Sequence, residues 1–349
     1  MPISAQDLAA LGMSSLDDYM RNTPVDQIDV AHPLLRKLTE KKKNLLGGKQ
    51  NLVIQVRKAY GSNFNWTYGE ATVNFNTRDT LAQAAFPWRR CVDAFRISHD
   101  TLFSNGIKVT EGAAGSVKMS QYEAVQLSNL LNEQREAFKL GFMEKLDLEL
   151  HRDGTSSADA ITGLDGLIST APATGIVGGL DRATVTYWRN NASLAIATGT
   201  AGALKNAMEA QWRKCIRAGQ SSPDFILAGS AFIDAYAASI TITQNADAGT
   251  VKKIDLGTGA GVETGLYFKK VPIVWDPNFE TLDALDSPTV PWEKRCYFLN
   301  TRHMELRDDG MDIVTPTRPH NVLALFHMIS LRTVLAIKKS NAHAVLAIA

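Results

Sequence analysis

Cysteine is scarce in this chain, which has three among 349 residues, at Cys91, Cys215 and Cys296. An odd number of widely separated cysteines gives no disulfide framework, and none of them has a second Cys or a His at the spacing of a zinc site. The N-terminus has no basic segment followed by an apolar run, the pattern of a secretion signal. We therefore expect three reduced, partly buried thiols in a protein that is made and stays in a reducing cytoplasm.

A surplus of charge of either sign is also missing, because 37 Lys and Arg residues face 36 Asp and Glu residues, a formal net charge of +1. Such a balance creates no overall field that would attract nucleic acid or an anionic membrane. The most apolar stretch, residues 321–339, is interrupted by His327 and Arg332, so it is shorter than the roughly 18 apolar residues of a membrane span. It predicts two buried strands and no membrane contact.

Complete catalytic motifs are absent as well. Residues 151–153 read His-Arg-Asp, as in a kinase catalytic loop, but Ala158 stands where that loop needs its metal-binding asparagine. The glycine-rich run at residues 257–261 is followed by Val262 instead of the third glycine of a dinucleotide site, and Gln50 replaces the Ser or Thr of a phosphate loop. The seven histidines are scattered. We expect no catalytic residues, no cofactor and no metal, and hence no enzyme.

A long amphipathic helix is the strongest pattern that is present, and it is predicted over residues 119–153. Ser120 and Glu123 have the spacing of an N-terminal capping box. His151 stands in the last turn and Gly154 just past it, as expected at a helix C-terminus. At about 1.5 Å per residue this helix is on the order of 50 Å long. Its apolar stripe comprises Leu127, Leu131, Phe138, Phe142, Leu146 and Leu150.

The remaining face of this helix is acidic. Six acidic residues oppose three basic ones, which would repel a polyanion. The acidic residues are Glu123, Glu133, Glu136, Glu144, Asp147 and Glu149, and the basic residues are Arg135, Lys139 and Lys145.

Residues 51–76 predict a long β-hairpin whose two strands flank the turn-forming residues 61–63. Leu52, Ile54 and Val56 alternate onto one face of its first strand, and the second strand is rich in aromatic residues. An isolated two-stranded ribbon is marginally stable in water, so this one needs a surface to lie on. The sequence leaves open whether this chain or a neighbouring chain supplies that surface.

Other segments predict a mixture of helices and strands. Residues 1–46 predict a polar arm, extended or partly helical. Its basic cluster is typical of a solvated helix face, and a local contact with nucleic acid or an acidic partner surface is the alternative; the cluster is Arg36, Lys37, Lys41, Lys42 and Lys43. Helices are predicted over residues 201–219 and 230–239, and strands over 223–229, 265–279 and 295–307. The order lacks a regular βαβ rhythm, which indicates an α+β fold.

The order of these parts, together with three phrases, resembles the major capsid protein of tailed bacteriophages, the Hong Kong phage type of shell subunit. The phrases are Gly179-Leu180-Asp181-Arg182, Trp188-Arg189-Asn190 and Val274-Trp275-Asp276-Pro277. The resemblance implies an α+β capsid fold with an N-terminal arm, an extended β-hairpin loop, a long spine helix, and peripheral and axial domains. The implied boundaries are 1–46 for the arm, 47–90 for the extended loop, 91–180 for the peripheral domain with the spine helix 119–153, 181–320 for a mainly axial domain, and 321–349 for C-terminal strands that return to the sheet.

The resemblance also implies a function. Such a subunit assembles with itself into hexamers and pentamers of an icosahedral phage head, which encloses double-stranded DNA without sequence-specific binding. Portal and scaffold proteins, and in some members a decoration protein, are the implied partners, and the virion is the implied location. The extended loop would contact a neighbouring subunit through Ile54, Val56, Arg57, Trp66, Tyr68 and Phe75. The alternative is a cytosolic α+β enzyme or ligand-binding protein whose site is formed by residues distant in sequence.

Overall fold

A computed structural model of the chain contains helices, strands and 3-10 turns. The described residues are 31–44, 50–69, 72, 75, 77–98, 100, 110–111, 117–118, 121–200, 202–239, 263–314 and 324–349. The helices are α1 (Pro33–Glu40), α2 (Gln121–His151), α3 (Leu164–Leu167), α4 (Ala203–Gly219), α5 (Ser230–Ser239) and α6 (Asn278–Asp286). Short 3-10 turns lie at Thr186–Trp188, Trp292–Lys294 and Ser340–Ala342.

The strands form two larger sheets and three two-stranded pairs. They are β1 (Lys43–Asn44), β2 (Asn51–Arg57), β3 (Leu81–Pro87), β4 (Arg89–Ser98), β5 (Thr110–Glu111), β6 (Val117–Lys118), β7 (Ile176–Val177), β8 (Leu180–Asp181), β9 (Asn191–Ile196), β10 (Phe225–Ala228), β11 (Glu263–Phe268), β12 (Val271–Trp275), β13 (Arg295–Leu299), β14 (Met304–Val314), β15 (Ala324–Ile337) and β16 (Ala344–Ile348). The six-stranded sheet has the order β11-β12-β10-β13-β16-β9, and the four-stranded sheet has the order β1-β14-β15-β4. The pairs are β2-β3, β5-β6 and β7-β8.

The chain divides into two compact units. The first contains described residues of Val92–Glu144 and Asp312–Ser330, and the second those of Ala31–Cys91, Lys145–Met311 and Leu331–Ala349. In the first unit, the Phe95 ring packs edge-on to Phe138 at 4.8 Å between centroids and stacks on His327 at 5.0 Å. Phe95 and Phe138 are half-buried and His327 is buried.

The core of the second unit lies between the six-stranded sheet and α4. The buried residues Leu204, Met208, Trp212 and Cys215 follow one another at helical spacing, so one face of α4 is apolar. Trp212 meets Phe298 of the sheet edge-on at 5.6 Å. Because β10 pairs in parallel with β12 and antiparallel with β13, the sheet is mixed and lacks the all-parallel order of a doubly wound fold.

The predicted helices at 201–219 and 230–239 are confirmed as α4 and α5. The prediction of two strands over residues 321–339 is wrong, because β15 runs without a break from Ala324 to Ile337. Polar residues did not end the strand, since the His327 ring stacks on Phe95 and the Arg332 guanidinium lies 5.7 Å from the centre of the Trp88 ring. Aromatic contacts thus allow both side chains to remain within a strand.

Helix α2 ends at His151, two residues before the predicted end at residue 153, and Gly154 follows with a φ of +89°. Its last turn, however, is a buried charge cluster. The Nε2 of His151 donates to Asp276 Oδ2 at 2.8 Å and its Nδ1 donates to the main-chain oxygen of Asp147 at 2.7 Å. Because both partners are acceptors, both ring nitrogens carry hydrogen and His151 is an imidazolium. Burial alone would lower the pKa of His151, but Asp276 and Asp147 outweigh it and raise the pKa to about 9.

Asp147 is fully buried, so its inclusion in an exposed acidic face of the helix was wrong. Its Oδ1 accepts from the Leu35 amide at 3.1 Å and its Oδ2 accepts from the Asn278 side chain at 2.6 Å. The His32 ring is also 3.1 Å from that Oδ2. The carboxylate therefore fixes α1 against the last turns of α2 and the start of α6.

The N-terminal arm is helical over α1, whose buried face consists of Leu34, Leu35 and Leu38. Residues 1–30 of the predicted arm lie outside the described residues. The basic cluster is not a solvated helix face throughout, because Lys41, Lys42 and Lys43 follow α1 and form ion pairs with Asp224, Asp308 and Glu305. These lysines bind carboxylates of the same chain that are distant in sequence, so the local sequence did not indicate the contacts.

Candidate functional site

The predicted ribbon exists, with a different second strand. β2 pairs antiparallel with β3, so Leu52 lies opposite Phe86 and Arg57 opposite Leu81. The predicted partner strand after residue 63 is wrong, since none of the described residues between Lys58 and Thr80 belongs to a strand. We call β2 and β3 the ribbon base and residues 58–80 the ribbon tip.

The ribbon base rests on its own chain. Leu52, Ala84 and Phe86 are buried on one face, as the alternation in the sequence predicted for β2. The amide of Ala85 donates to the main-chain oxygen of Gly178 at 2.8 Å, which attaches β3 to the turn between β7 and β8. The surface on which the ribbon base lies is therefore supplied by the same chain.

Gly178 is required in that turn for two reasons. Its φ is +59°, a left-handed conformation that favours glycine. A Cβ at this position would also lie 3.1 Å from both Ala84 Cβ and Phe86 Cζ. The neighbouring Gly179 has a φ of +78° with open space around it.

We expect Gly178→Ala to destabilise the protein more than Gly179→Ala. Both substitutions introduce the backbone strain of about 1 kcal/mol, but only the first also pushes a methyl group into the ribbon base. Urea unfolding of the two variants measures the difference, for which we expect about 1–2 kcal/mol. Equal loss of stability in the two variants would show that the base does not pack closely on this turn.

The ribbon tip is rich in exposed aromatic side chains. Their relative exposures are 76% for Tyr60, 75% for Phe64, 87% for Trp66, 101% for Tyr68 and 93% for Phe75. Phe64 and Trp66 contact each other edge-on at 5.2 Å between ring centroids. Large side chains of this kind, concentrated in one exposed segment, are typical of a protein-binding surface.

The six residues predicted to contact a partner separate into two groups. Trp66, Tyr68 and Phe75 are in the tip and exposed, whereas Ile54 and Val56 are half-buried in the base on the side of Leu52. Arg57 is exposed where base and tip meet, with its guanidinium carbon 5.8 Å from the centre of the Tyr60 ring. That these residues contact another subunit stays a prediction.

Sequence reasoning missed Tyr60 and Phe64, both of which belong to the same exposed surface. They flank the proposed turn at residues 61–63. Their aromatic character in a polar segment was the signal that would have identified them.

Contacts between its first and last residues hold the two ends of the ribbon tip together. Lys58 Nζ pairs with the carboxylate of Asp79, and the Lys58 amide donates to the oxygen of Thr80 at 2.9 Å. Gly61, with a φ of +57°, lies over the alkyl part of Arg78, where a Cβ would be 3.4 Å from Arg78 Cγ. The two ends of the tip are therefore joined, and the aromatic residues lie between them.

Among the described residues, the His-Arg-Asp motif at 151–153 does not form an alternative site. His151 of the His-Arg-Asp tripeptide is fully buried and paired with Asp276, whereas Asp153 is exposed. Residues 257–261 and 47–49 lie outside the described residues. In the part of the chain that the structure describes, no three His, Cys, Asp or Glu side chains form a group that could hold a metal ion. None of the described helices combines the length and apolar character needed to cross a membrane.

Comparisons with known proteins agree with this architecture. No family model and no curated protein sequence matches the chain. Among solved structures, the cyanophage A-1(L) capsid asymmetric unit is similar, with 17% identity, a TM-score of 0.64, and coverage of 96% of this chain and 98% of that chain. The capsid of Myoviridae phage XM1 gives 15% identity, a TM-score of 0.56, and coverage of 96% and 98%. The capsid of a native GTA particle gives 11% identity, a TM-score of 0.51, and coverage of 97% and 98%.

Identities this low show the fold and nothing finer. The chain has the fold of phage capsid proteins along almost its whole length, which confirms the α+β capsid fold that the sequence resembles.

Proposed function

We propose that this chain is the major structural subunit of a phage head, and that it assembles into hexamers and pentamers of an icosahedral shell around double-stranded DNA. The observation that carries the proposal is the ribbon tip, whose five large aromatic side chains are exposed on a chain with a capsid fold. Such a tip is costly for a protein that stays alone, because exposed aromatic surface favours association. A second copy of the chain is the partner that a shell provides.

The domain boundaries belong to the same proposal. Residues 47–90 act as the extended loop, 91–180 as the peripheral domain, and 181–320 as most of the axial domain, with 1–46 as the arm and 321–349 as returning strands. The ribbon base and tip fall together within the extended loop. The base holds the loop on its own subunit, and the tip reaches the neighbour.

The role is structural, without catalysis, and the location is the virion after synthesis in the bacterial host. Portal and scaffold proteins are the further partners, and a decoration protein in addition is compatible with such a shell. An enzyme or ligand-binding protein of the same fold class is the competing hypothesis, and no observation in the described residues favours it.

We expect the purified full-length protein to form particles or capsomers of very large mass that withstand reducing agent. Cys215 and Cys296 are buried and Cys91 is half-buried with its thiol 3.4 Å from the Leu331 oxygen, so the thiols are engaged inside one chain. Burial also raises the pKa of the Cys215 thiol to about 12, which disfavours the reactive thiolate.

Negative-stain microscopy and sedimentation velocity, each with and without dithiothreitol, measure this outcome. A small oligomer under every assembly condition, including molecular crowding, would overturn the proposed function. Particles that dissolve in dithiothreitol would show instead that disulfides between chains hold the shell.

A further inference from the structure

Three consecutive lysines attach the chain after α1 to acidic groups far away in sequence. Lys41 Nζ lies 3.1 Å from Asp224 Oδ2, Lys42 Nζ lies 2.6 Å from Asp308 Oδ2, and Lys43 Nζ lies 2.8 Å from Glu305 Oε1. Lys41 also donates to the hydroxyl of Thr301. We call Lys41–Asn44 the anchor segment.

The anchor segment covers part of a sheet edge. Its two residues in β1 pair in parallel with β14, Lys43 opposite Arg307 and Asn44 opposite Asp308. An uncovered edge strand offers unpaired N–H and C=O groups to another chain, and native proteins commonly block such edges. The anchor segment blocks the edge of β14 in this way, because its strand β1 is the outermost strand of the order β1-β14-β15-β4.

Charge, and not apolar packing, holds the anchor segment in place. Lys41, Lys42 and Lys43 are exposed residues, in contrast to the buried leucines of α1 before them and to Leu52 in β2 after them. The anchor segment therefore lies between two elements that apolar burial fixes. Ion pairs of exposed lysines weaken as salt concentration rises, whereas apolar contacts do not.

Two of the acidic partners, Glu305 and Asp308, differ in what remains when their lysine is removed. Glu305 keeps Lys338 and Arg307, the latter at 2.7 Å, and its pKa is about 2 because the hydrogen bonds from Lys338, Lys43 and Arg307 outweigh the effect of burial. Asp308 is 4% exposed, its Oδ1 has no hydrogen-bond partner, and Lys42 is its cation among the described residues. Removal of Lys42 thus leaves a buried, uncompensated carboxylate, which is costly.

We propose that the anchor segment is a reversible electrostatic cover of the β14 edge, which opens at high ionic strength or when the lysine charges are lost, while α1 and the ribbon base stay in place. Opening exposes the main-chain N–H and C=O groups of β14 at Arg307 and Asp308 to solvent. This inference concerns the single subunit and does not depend on the proposed shell.

Hydrogen exchange of the full-length protein, followed by mass spectrometry, tests the proposal. In Lys42→Met we expect the anchor segment and residues 305–309 to exchange about tenfold faster than in the unmodified protein, and in Lys43→Met about threefold faster, because Glu305 keeps two other cations. Raising NaCl from 0.05 to 1 M should accelerate the same peptides in the unmodified protein, since the Debye length falls to about 3 Å. Residues 33–40 and 51–57 are internal controls that should not change.

Two further variants keep the test decisive. Lys37→Met removes an exposed lysine that pairs with Glu40 at 3.1 Å within α1, and it should leave the exchange of the anchor segment unchanged. In an Asp308→Asn background, Lys42→Met should add little, because the buried charge that it would leave uncompensated is already absent. Exchange that is unaffected by Lys42→Met and by salt would overturn the proposal, and so would equal acceleration of the control peptides, which would indicate general unfolding.

Discussion

Particle assembly should be lost, and the subunit should stay folded, when the exposed aromatic residues of the ribbon tip are replaced by serine. The positions are Tyr60, Phe64, Trp66, Tyr68 and Phe75. Burial of one such side chain against a neighbour contributes about 1.5–3 kcal/mol, so even two or three of them supply several kcal/mol for each contact between subunits. Loss of about 4 kcal/mol weakens each contact roughly a thousandfold, and a closed shell repeats that loss at every subunit.

The fold should survive because none of these five side chains is buried in the subunit itself. We expect circular dichroism and the urea midpoint to match those of the unmodified protein, while sedimentation shows subunits or small capsomers. If the variant still forms full-sized shells, the tip is not the contact between subunits. If it unfolds, the tip belongs to the core of its own chain.

Two matched variants separate the tip from aromatic exposure in general and from the ribbon base. Tyr267→Ser removes an aromatic side chain that is 59% exposed outside the ribbon, and it should assemble better than Trp66→Ser. Phe86→Ala removes a base side chain that is 3% exposed, and it should lower the free energy of unfolding by about 3–5 kcal/mol. Substitution in the ribbon base should therefore lower the free energy of unfolding, whereas substitution in the ribbon tip should prevent assembly.

A loss of stability as large as that of Phe86→Ala is expected from His151→Ala. This substitution leaves Asp276 and Asp147 fully buried without the imidazolium that compensates them. Breaking a buried charge pair by removing one partner costs about 3–5 kcal/mol. The control is Asp153→Ala, which removes an exposed carboxylate that accepts from the Thr155 amide at 2.9 Å and should cost about 1 kcal/mol or less. Urea unfolding at pH 7 measures both.

A double-mutant cycle shows whether the pair itself is responsible. In an Asp276→Asn background the cost of His151→Ala should fall, because the carboxylate that needs the cation is gone. Additive costs of the two substitutions would contradict a direct charge interaction between them.

The same pair predicts how stability depends on pH. The pKa of His151 is about 9 in the folded protein and 6.5 ordinarily, so folding binds a proton between these values. Its contribution is fully present below pH 6.5 and is lost as the pH rises through 9, which corresponds to about 3 kcal/mol. Unfolding midpoints between pH 6.5 and 9.5 should fall in the unmodified protein and change less in His151→Ala.

Local pattern was enough to predict the elements that depend on local spacing. The end of α2 at His151 before Gly154, the bounds of α5 at residues 230–239, and the alternation that buries Leu52 all follow from residues within a few positions of one another. Helix termini and strand faces are set by the backbone geometry of the segment itself, which the sequence records directly. The order of elements was also sufficient for the resemblance to the capsid fold.

Tertiary structure decided which distant groups meet. The strand that pairs with β2 begins at Leu81, and no local signal distinguished it from the aromatic segment after residue 63. Asp147 and the lysines from Lys41 to Lys43 stand in local sequences that are typical of a solvated helix face. Their hydrogen-bond and ion-pair partners nevertheless lie more than a hundred residues away. Ion pairs and strand register depend on the distance between parts of the chain, and the free energy of a charge depends on its burial. Distances between distant segments and the burial of their charges are defined only once the chain has folded. The sequence therefore determined the elements, and the fold determined their contacts.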